Sequence, residues 1–143
     1  DVYKRQDYEL AKIISESIIK VNKDLIFLVP TGSQMEKAGK KLGMKVAAEI
    51  FADRNYEDDG NLVSRKKKNA MITDPEIAMK HVIKMVENQA LNCYSGKKIS
   101  CEIDSICVHG DGENAVNTAK KIKEGLIISG VTLKPLDNMT KFI

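Results

Sequence analysis

The sequence predicts an α/β fold in which parallel strands alternate with helices within one domain. Three observations carry that expectation. Leu25–Val29 and Ile106–Val108 are compact apolar runs without the alternation of a half-solvated strand, the pattern of strands covered on both faces in a parallel sheet. Stretches of helical periodicity lie between such runs and are joined to them by short turns. Polar side chains collect where the apolar runs stop, and ligands of parallel α/β sheets bind at the carboxyl ends of the strands. His109 and Asp111, delivered by the run that ends at Val108, are therefore the first place to look for a site.

In chain order, Leu10, Ile14, Ile18 and Val21 recur at helical spacing with Lys12, Glu16 and Lys20 on another face, so Tyr8 to Val21 reads as an amphipathic helix. Asn22-Lys23-Asp24 interrupts it, and Leu25–Val29 follows as a strand stopped by Pro30. Thr31-Gly32-Ser33 is a glycine turn between strand and helix, where free N–H groups can cradle a phosphate. Ser33-Gln34-Met35-Glu36 reads better as a capping box, and no G-x-G-x-x-G or P-loop pattern accompanies it. The helix runs to about Leu42 with Met35, Ala38 and Leu42 inward, and Gly43 ends it.

Val46–Ala52 is the next strand, with Asp53-Arg54-Asn55-Tyr56 at its C-terminal end. Glu57–Asn61 is a solvated turn, and Leu62–Arg65 returns as a loop or short strand. The basic run Arg65–Lys68 lacks interleaved aromatics and reads as a solvated loop. Thr73-Asp74-Pro75-Glu76 starts a helix reaching about Asn88, with Ala78, Val82, Met85 and Val86 inward and His81 as a helix-surface residue. Leu91–Ile103 reads as a hairpin turning at Ser95-Gly96, before the strand Ser105–Val108. Gly112 then opens a helix with Ala115, Ala119, Ile122 and Leu126 on one face. Gly130 ends it, and Val131-Thr132-Leu133 supplies a last strand.

Composition narrows the function classes. At 143 residues, 43% hydrophobic and 30% charged, the chain has a globular composition rather than a disordered or membrane one. Twenty-three basic residues nearly balance twenty acidic ones and aromatics make up 5%, so nucleic acid is not an expected partner. No apolar stretch is long enough to span a bilayer and no secretory segment follows the N-terminus, so no membrane partner is expected and a cytoplasmic location is the default. Cys93, Cys101 and Cys107 lack the paired spacing of a zinc site and read as reduced packing residues, and no metal is assigned. Asp1–Gln6 fits nothing that follows and reads as a non-native segment, leaving 7–143 as the domain.

Four separated stretches carry a resemblance. Phe51-Ala52-Asp53-Arg54-Asn55-Tyr56, Gly60-Asn61-Leu62-Val63-Ser64-Arg65, the Asp74-Pro75-Glu76 helix start and above all Asp104-Ser105-Ile106-Cys107-Val108-His109-Gly110-Asp111 together resemble the LamB/YcsF family, in order and spacing, from about Asp7 to Leu136. The resemblance implies a partial (β/α) barrel of the glycoside hydrolase/deacetylase type. The family's upstream Asp-Leu-Gly-Glu and Lys-Pro-His-Gly motifs do not occur in this sequence, so the chain is expected to correspond to the C-terminal part of such a protein. It also implies a component of an ATP-dependent 5-oxoprolinase, which opens the lactam of 5-oxo-L-proline to give L-glutamate. 5-Oxoprolinase subunits B and C are the implied partners, with ATP and Mg²⁺ used by the whole complex and no tightly bound cofactor in this chain. The fragment is expected to be inactive alone, and marginally stable or aggregation-prone because strand edges would be left unpaired.

On that implied chemistry the residue types can be given roles. His109 is the candidate general acid or base, because imidazole exchanges a proton near neutral pH; the alternative is a structural histidine at the strand end. Asp111 either orients His109 or a water, or caps the helix that opens at Gly112. Asp53 and Arg54 are adjacent, so at an extended strand end they point to opposite sides, Asp53 into the pocket and its neighbour toward the loop. Arg54 or Arg65 is the candidate for holding a carboxylate or phosphate, against an ion pair with Asp58 or Glu57, and Tyr56 joins them as substrate-binding. Two other readings stay open: a metal-dependent hydrolase of the same barrel class using His109, Asp111 and Asp53, and a non-catalytic partner-binding or regulatory module.

Overall fold

The structure, a computed structural model, describes residues 6–143, so most of the segment read as non-native lies outside the described residues. The chain divides into two compact units, one made of residues up to Glu49 together with Lys134–Ile143, the other of Ile50–Leu133.

In the first unit, α1 (Tyr8–Val21) is capped by Asp7, whose carboxylate accepts the Leu10 N–H at 3.0 Å. Its buried face centres on Ala11 and Ser15 rather than on the larger apolar residues, and Val21 is exposed. α1 packs against α2 (Gln34–Lys41), while Leu10, Ile14 and Ile18 are half-buried and Ile18 lies against the core of this unit. β1 (Ile26–Pro30) pairs in parallel with β2 (Lys45–Phe51), in register from Ile26 opposite Lys45 to Pro30 opposite Glu49. Phe27, Val29, Met44 and Val46 form the core here. Leu28, between two buried residues, is 44% exposed, so β1 alternates and is not covered on both faces as its apolar run suggests. Gly43 ends the helix turn at φ +72°, a conformation that suits glycine.

β2 runs on into the second unit, whose core comprises Ile50, Ala52, Tyr56, Val82, Met85, Leu91, Ile122 and Leu126. Asp74 caps α3 (Pro75–Asn88) by accepting the Glu76 and Ile77 N–H groups at 2.9 Å each, with Pro75 in the first turn where no N–H is needed. β3 (Ala90–Asn92) and β4 (Lys98–Ser100) form the antiparallel hairpin that the sequence predicts, with Gly96 in its turn at φ +94°. β5 (Ser105–Cys107) lies beside the end of β2, where the Ala52 N–H donates to the Cys107 carbonyl at 2.9 Å. All three β5 residues are half-buried, so this strand too is less covered than expected. α3 and α4 (Ala115–Ile128) approach closely at Gly125, where a Cβ would come within 2.8 Å of Ile83 and Met79.

Two element expectations are corrected. The last helix begins at Ala115 rather than Gly112, because residues 111–114 form turns and the Ala115 N–H closes back on the Gly112 carbonyl at 3.0 Å. Its inward face is Thr118, Ile122, Gly125 and Leu126, with Ala119 exposed. Val131–Leu133 is not a strand: the Val131 N–H closes the end of α4 on the Leu126 carbonyl at 2.9 Å, which commits to a helix terminus the donor a ladder would need.

Candidate functional site

β2 and β5 end side by side, and each hands on one functional side chain. The Ala52–Cys107 hydrogen bond fixes the two strand ends, so Asp53 and His109, one and two residues beyond it, come together. His109 Nδ1 lies 2.8 Å from Asp53 Oδ1 and 2.9 Å from Oδ2. The Phe51 ring stacks on the imidazole with centroids 5.7 Å apart and an interplanar angle of 8°. Asp53 is the more buried of the pair, at 17% side-chain exposure against 35% for His109. With a carboxylate on Nδ1, that nitrogen carries the ring proton and Nε2 is the acceptor of the neutral imidazole.

The pair opens on a cavity of about 290 Å³, also lined by Thr73, Asp111, Asn114 and Thr118. Asp111 is exposed in a turn and does not cap the helix; Asn114 holds the cap position without a side-chain hydrogen bond. Thr73 precedes α3, Asn114 precedes α4 and Thr118 lies within α4, and no local pattern of the sequence marks any of them as a cavity residue.

The three residues expected to bind substrate are not brought to this cavity. Arg54 is 8% exposed, and its Nη2 donates to the Val63 carbonyl at 2.9 Å, pinning the loop that follows β2. Burial, and then the nearby Arg65, lower its pKa from the ordinary guanidinium value, while Asp53 acts in the opposite direction. Arg65 is exposed on the loop. Tyr56 is 1% exposed in the core, and its hydroxyl accepts the Phe51 N–H at 2.8 Å. Alternation thus places Asp53 on the cavity side and Arg54 on the loop side of the strand end, but it sends Tyr56 inward as well. The expected ion-pair partner Glu57 is taken by Lys67, at 2.7 Å.

Other expectations resolve on local contacts. His81 is not a surface residue: its Nε2 is buried without a partner among the described residues, and burial lowers its pKa. The Thr31-Gly32-Ser33 turn does not suit a phosphate. Its Gly32 N–H donates to Glu36 Oε2 at 2.6 Å and its Ser33 hydroxyl to the Pro30 carbonyl at 2.6 Å, so the donors are taken and a carboxylate stands there. Glu36 therefore reaches Gly32 rather than closing the reciprocal bond to Ser33, whose oxygen accepts the Glu36 N–H at 3.3 Å. Among the described residues no group of three His, Cys, Asp or Glu side chains is arranged to hold a metal ion, and no helix is long and apolar enough to cross a membrane.

Comparison with known proteins adds to this geometry. The chain is 49% identical over 131 residues to the A subunit of 5-oxoprolinase from Clostridium beijerinckii, covering 92% of this chain and 51% of that protein. It is 44% identical over 132 residues to the A subunit of 5-oxoprolinase from Campylobacter jejuni subsp. doylei, covering 92% and 52%. Among solved structures, the crystal structure of a lactam utilization protein from Thermus thermophilus superposes with a TM-score of 0.81 at 28% identity, over 92% of this chain and 52% of that one. The chain spans about half the length of the curated relatives it matches. The LamB/YcsF family model matches residues 2–141, and the chain belongs to that family.

Proposed function

We propose that this chain supplies the acid–base wall of the lactam-opening site in the A subunit of a 5-oxoprolinase. The whole protein, in this reading, converts 5-oxo-L-proline to L-glutamate with ATP, in a cytoplasmic complex with subunits B and C. The observation that carries the proposal is the His109–Asp53 pair opening on a cavity, in a chain 49% identical to a protein of that name. The two strand ends then belong to one side of a (β/α) barrel of the glycoside hydrolase/deacetylase type, whose ligands sit at the carboxyl ends of the strands.

The chemistry explains the residue types. A lactam amide is a poor electrophile, so its opening needs a base for the attacking water, donors for the carbonyl oxygen as it gains charge, and an acid for the departing nitrogen. Nε2 of His109 takes a proton from water as the C–O bond forms, and returns it to the ring nitrogen as the C–N bond breaks. Asp53 holds the required tautomer and stabilises the imidazolium between those steps. ATP with Mg²⁺, used by the assembled complex, would drive the opening by phosphorylating the carbonyl oxygen with release of ADP, the phosphate being lost after water has added; the glycine turn after β1 does not fit its phosphates, and none of the described residues is assigned to it.

The test is glutamate release from 5-oxoproline and ATP by the family-length protein carrying this sequence, assembled with subunits B and C. His109→Ala should abolish turnover while the complex still assembles. Full activity in that variant removes His109 from the reaction, and a wild-type complex that assembles without turnover favours the partner-binding reading instead.

A further inference from the structure

Five of the chain's nine glycines sit at positive φ, and two more, Gly39 and Gly125, have side-chain atoms 2.8 Å from where a Cβ would be, so conformation or packing accounts for them. Gly110 and Gly112 have no such reason: neither is at positive φ, and a Cβ on either would meet nothing within 4 Å. Glycine loses more conformational freedom on folding than any other residue, so one whose freedom this conformation does not use points to a second conformation that does. The two flank Asp111 between His109 and α4, and Asp111, Gly112, Glu113 and Asn114 line the cavity on which the His109–Asp53 pair opens.

The same segment is the loosely held wall of that cavity. Residues 110–114 are all exposed. Among the described residues none of their N–H groups donates a hydrogen bond, and the side chains of Asp111, Glu113 and Asn114 have no hydrogen-bond or ion-pair partner. The bonds that their carbonyls accept come from α4 itself, Ala115 to Gly112 at 3.0 Å and Thr118 to Asn114 at 2.8 Å. Elsewhere the wall is tied to the strand end: the Ile72 N–H donates to the Asp53 carbonyl at 2.8 Å, Met71 pairs with Arg54, and the Asp53 carboxylate holds His109. A segment with exposed, unbonded backbone moves at low cost, and loops that close over substrates are drawn from such segments.

We propose that residues 110–114 are a lid, which swings about Gly110 and Gly112 to close over a cyclic amide bound beside His109. The inference rests on the lactam-opening reading and deepens it by adding the step that commits the substrate. Closure takes His109, 35% exposed in the present conformation, out of bulk water. It also brings the side chains of Asp111 and Asn114, which have no partner among the described residues, onto the polar atoms of the ligand.

The experiment uses the family-length protein carrying this sequence, assembled with subunits B and C. Backbone hydrogen exchange of residues 110–114 is read during turnover with saturating 5-oxoproline and ATP, and again in ATP alone. 5-Oxoproline should slow it about tenfold, as expected of a lid closed roughly nine-tenths of the time. In the Gly110→Ala/Gly112→Ala double variant the new methyl groups meet nothing and the backbone angles suit alanine, so the urea midpoint should hold or rise while kcat falls about tenfold. Exchange that 5-oxoproline leaves unchanged overturns the proposal, as does wild-type kcat in the double variant. A lower urea midpoint accompanying the loss of kcat also overturns it, by assigning the two glycines to the fold. A wild-type complex that does not cleave 5-oxoproline overturns the underlying reading instead, and this proposal with it.

Discussion

His109 and Asp53 meet through a single ring nitrogen, with Nδ1 2.8 Å from one carboxylate oxygen and 2.9 Å from the other across 56 positions of sequence. The contact commits Nδ1 to carrying a proton and leaves Nε2 as the basic atom, while the stacked Phe51 ring fixes the plane of the imidazole. A carboxylate that only balanced charge would tolerate many replacements. One that sets the tautomer does not, because an amide can turn its NH₂ toward Nδ1 and invert the assignment.

On the proposed lactam-opening reading, Asp53→Asn should therefore lower kcat for 5-oxoproline cleavage by about 10²–10⁴-fold, the range of a lost acid–base contribution. His109→Ala should lose as much or more. The double variant should be no worse than the more damaging single one, because the two side chains act as a unit. Steady-state glutamate release by the assembled enzyme measures this, and losses that multiply would separate the roles.

Tyr56 holds the backbone beneath the site rather than the substrate. Its hydroxyl accepts the Phe51 N–H at 2.8 Å while the ring is buried in the core. Tyr56→Phe should destabilise the protein by about 1–3 kcal/mol, the cost of a buried donor losing its acceptor. The urea midpoint should fall at unchanged m, with KM for 5-oxoproline unaltered. A raised KM at unchanged stability would return Tyr56 to the substrate.

His81 makes stability depend on pH in a definite direction. Burial lowers its pKa from the ordinary 6.5; a hydrogen bond to the Arg54 backbone acts the other way, and Lys84 adds to the lowering. The folded-state pKa thus lies below the unfolded one. As pH falls through 6.5 the unfolded chain takes up a proton that the folded chain resists, so stability present above that pH is lost below it. His81→Met should flatten this part of the curve. Urea midpoints on either side of pH 6.5 check it, and an equal fall in the variant would assign the dependence elsewhere.

Gly39 is set by close approach. A Cβ there would lie 2.8 Å from Val46 Cγ2 and 3.1 Å from the Phe27 ring, and the β-branched Val46 in β2 has little rotamer freedom to yield. Gly39→Ala gains about 1 kcal/mol in helix propensity. Overpacking costs about 1–3 kcal/mol, so the net effect should be destabilising, seen as a lower urea midpoint.

Several parts of this protein are legible in its sequence because they are local. Asp74 with Pro75 announces the start of α3, Ser33 that of α2, and Gly43 and Gly96 mark a helix end and a hairpin turn, each through contacts within a few residues. Helical spacing locates α1 to α4, and the apolar runs locate the strands whose ends carry Asp53 and His109. The four motifs that resemble the LamB/YcsF family are equally a property of the sequence, and the family model confirms the membership.

Only the tertiary structure decided which of these residues share a cavity. Arg54 turns away because the Val63 carbonyl folds back to meet it, and Tyr56 is drawn into the core by the Phe51 N–H. Thr118 rather than Ala119 faces inward, although both lie within one turn of Ile122 and helical spacing allows either. Periodicity and capping specify what a segment becomes, since their interactions lie within a turn or two of chain. They carry no information about which distant segment supplies the partner, and the pairing of Asp53 with His109 is set by two strand ends held together by the Ala52–Cys107 hydrogen bond.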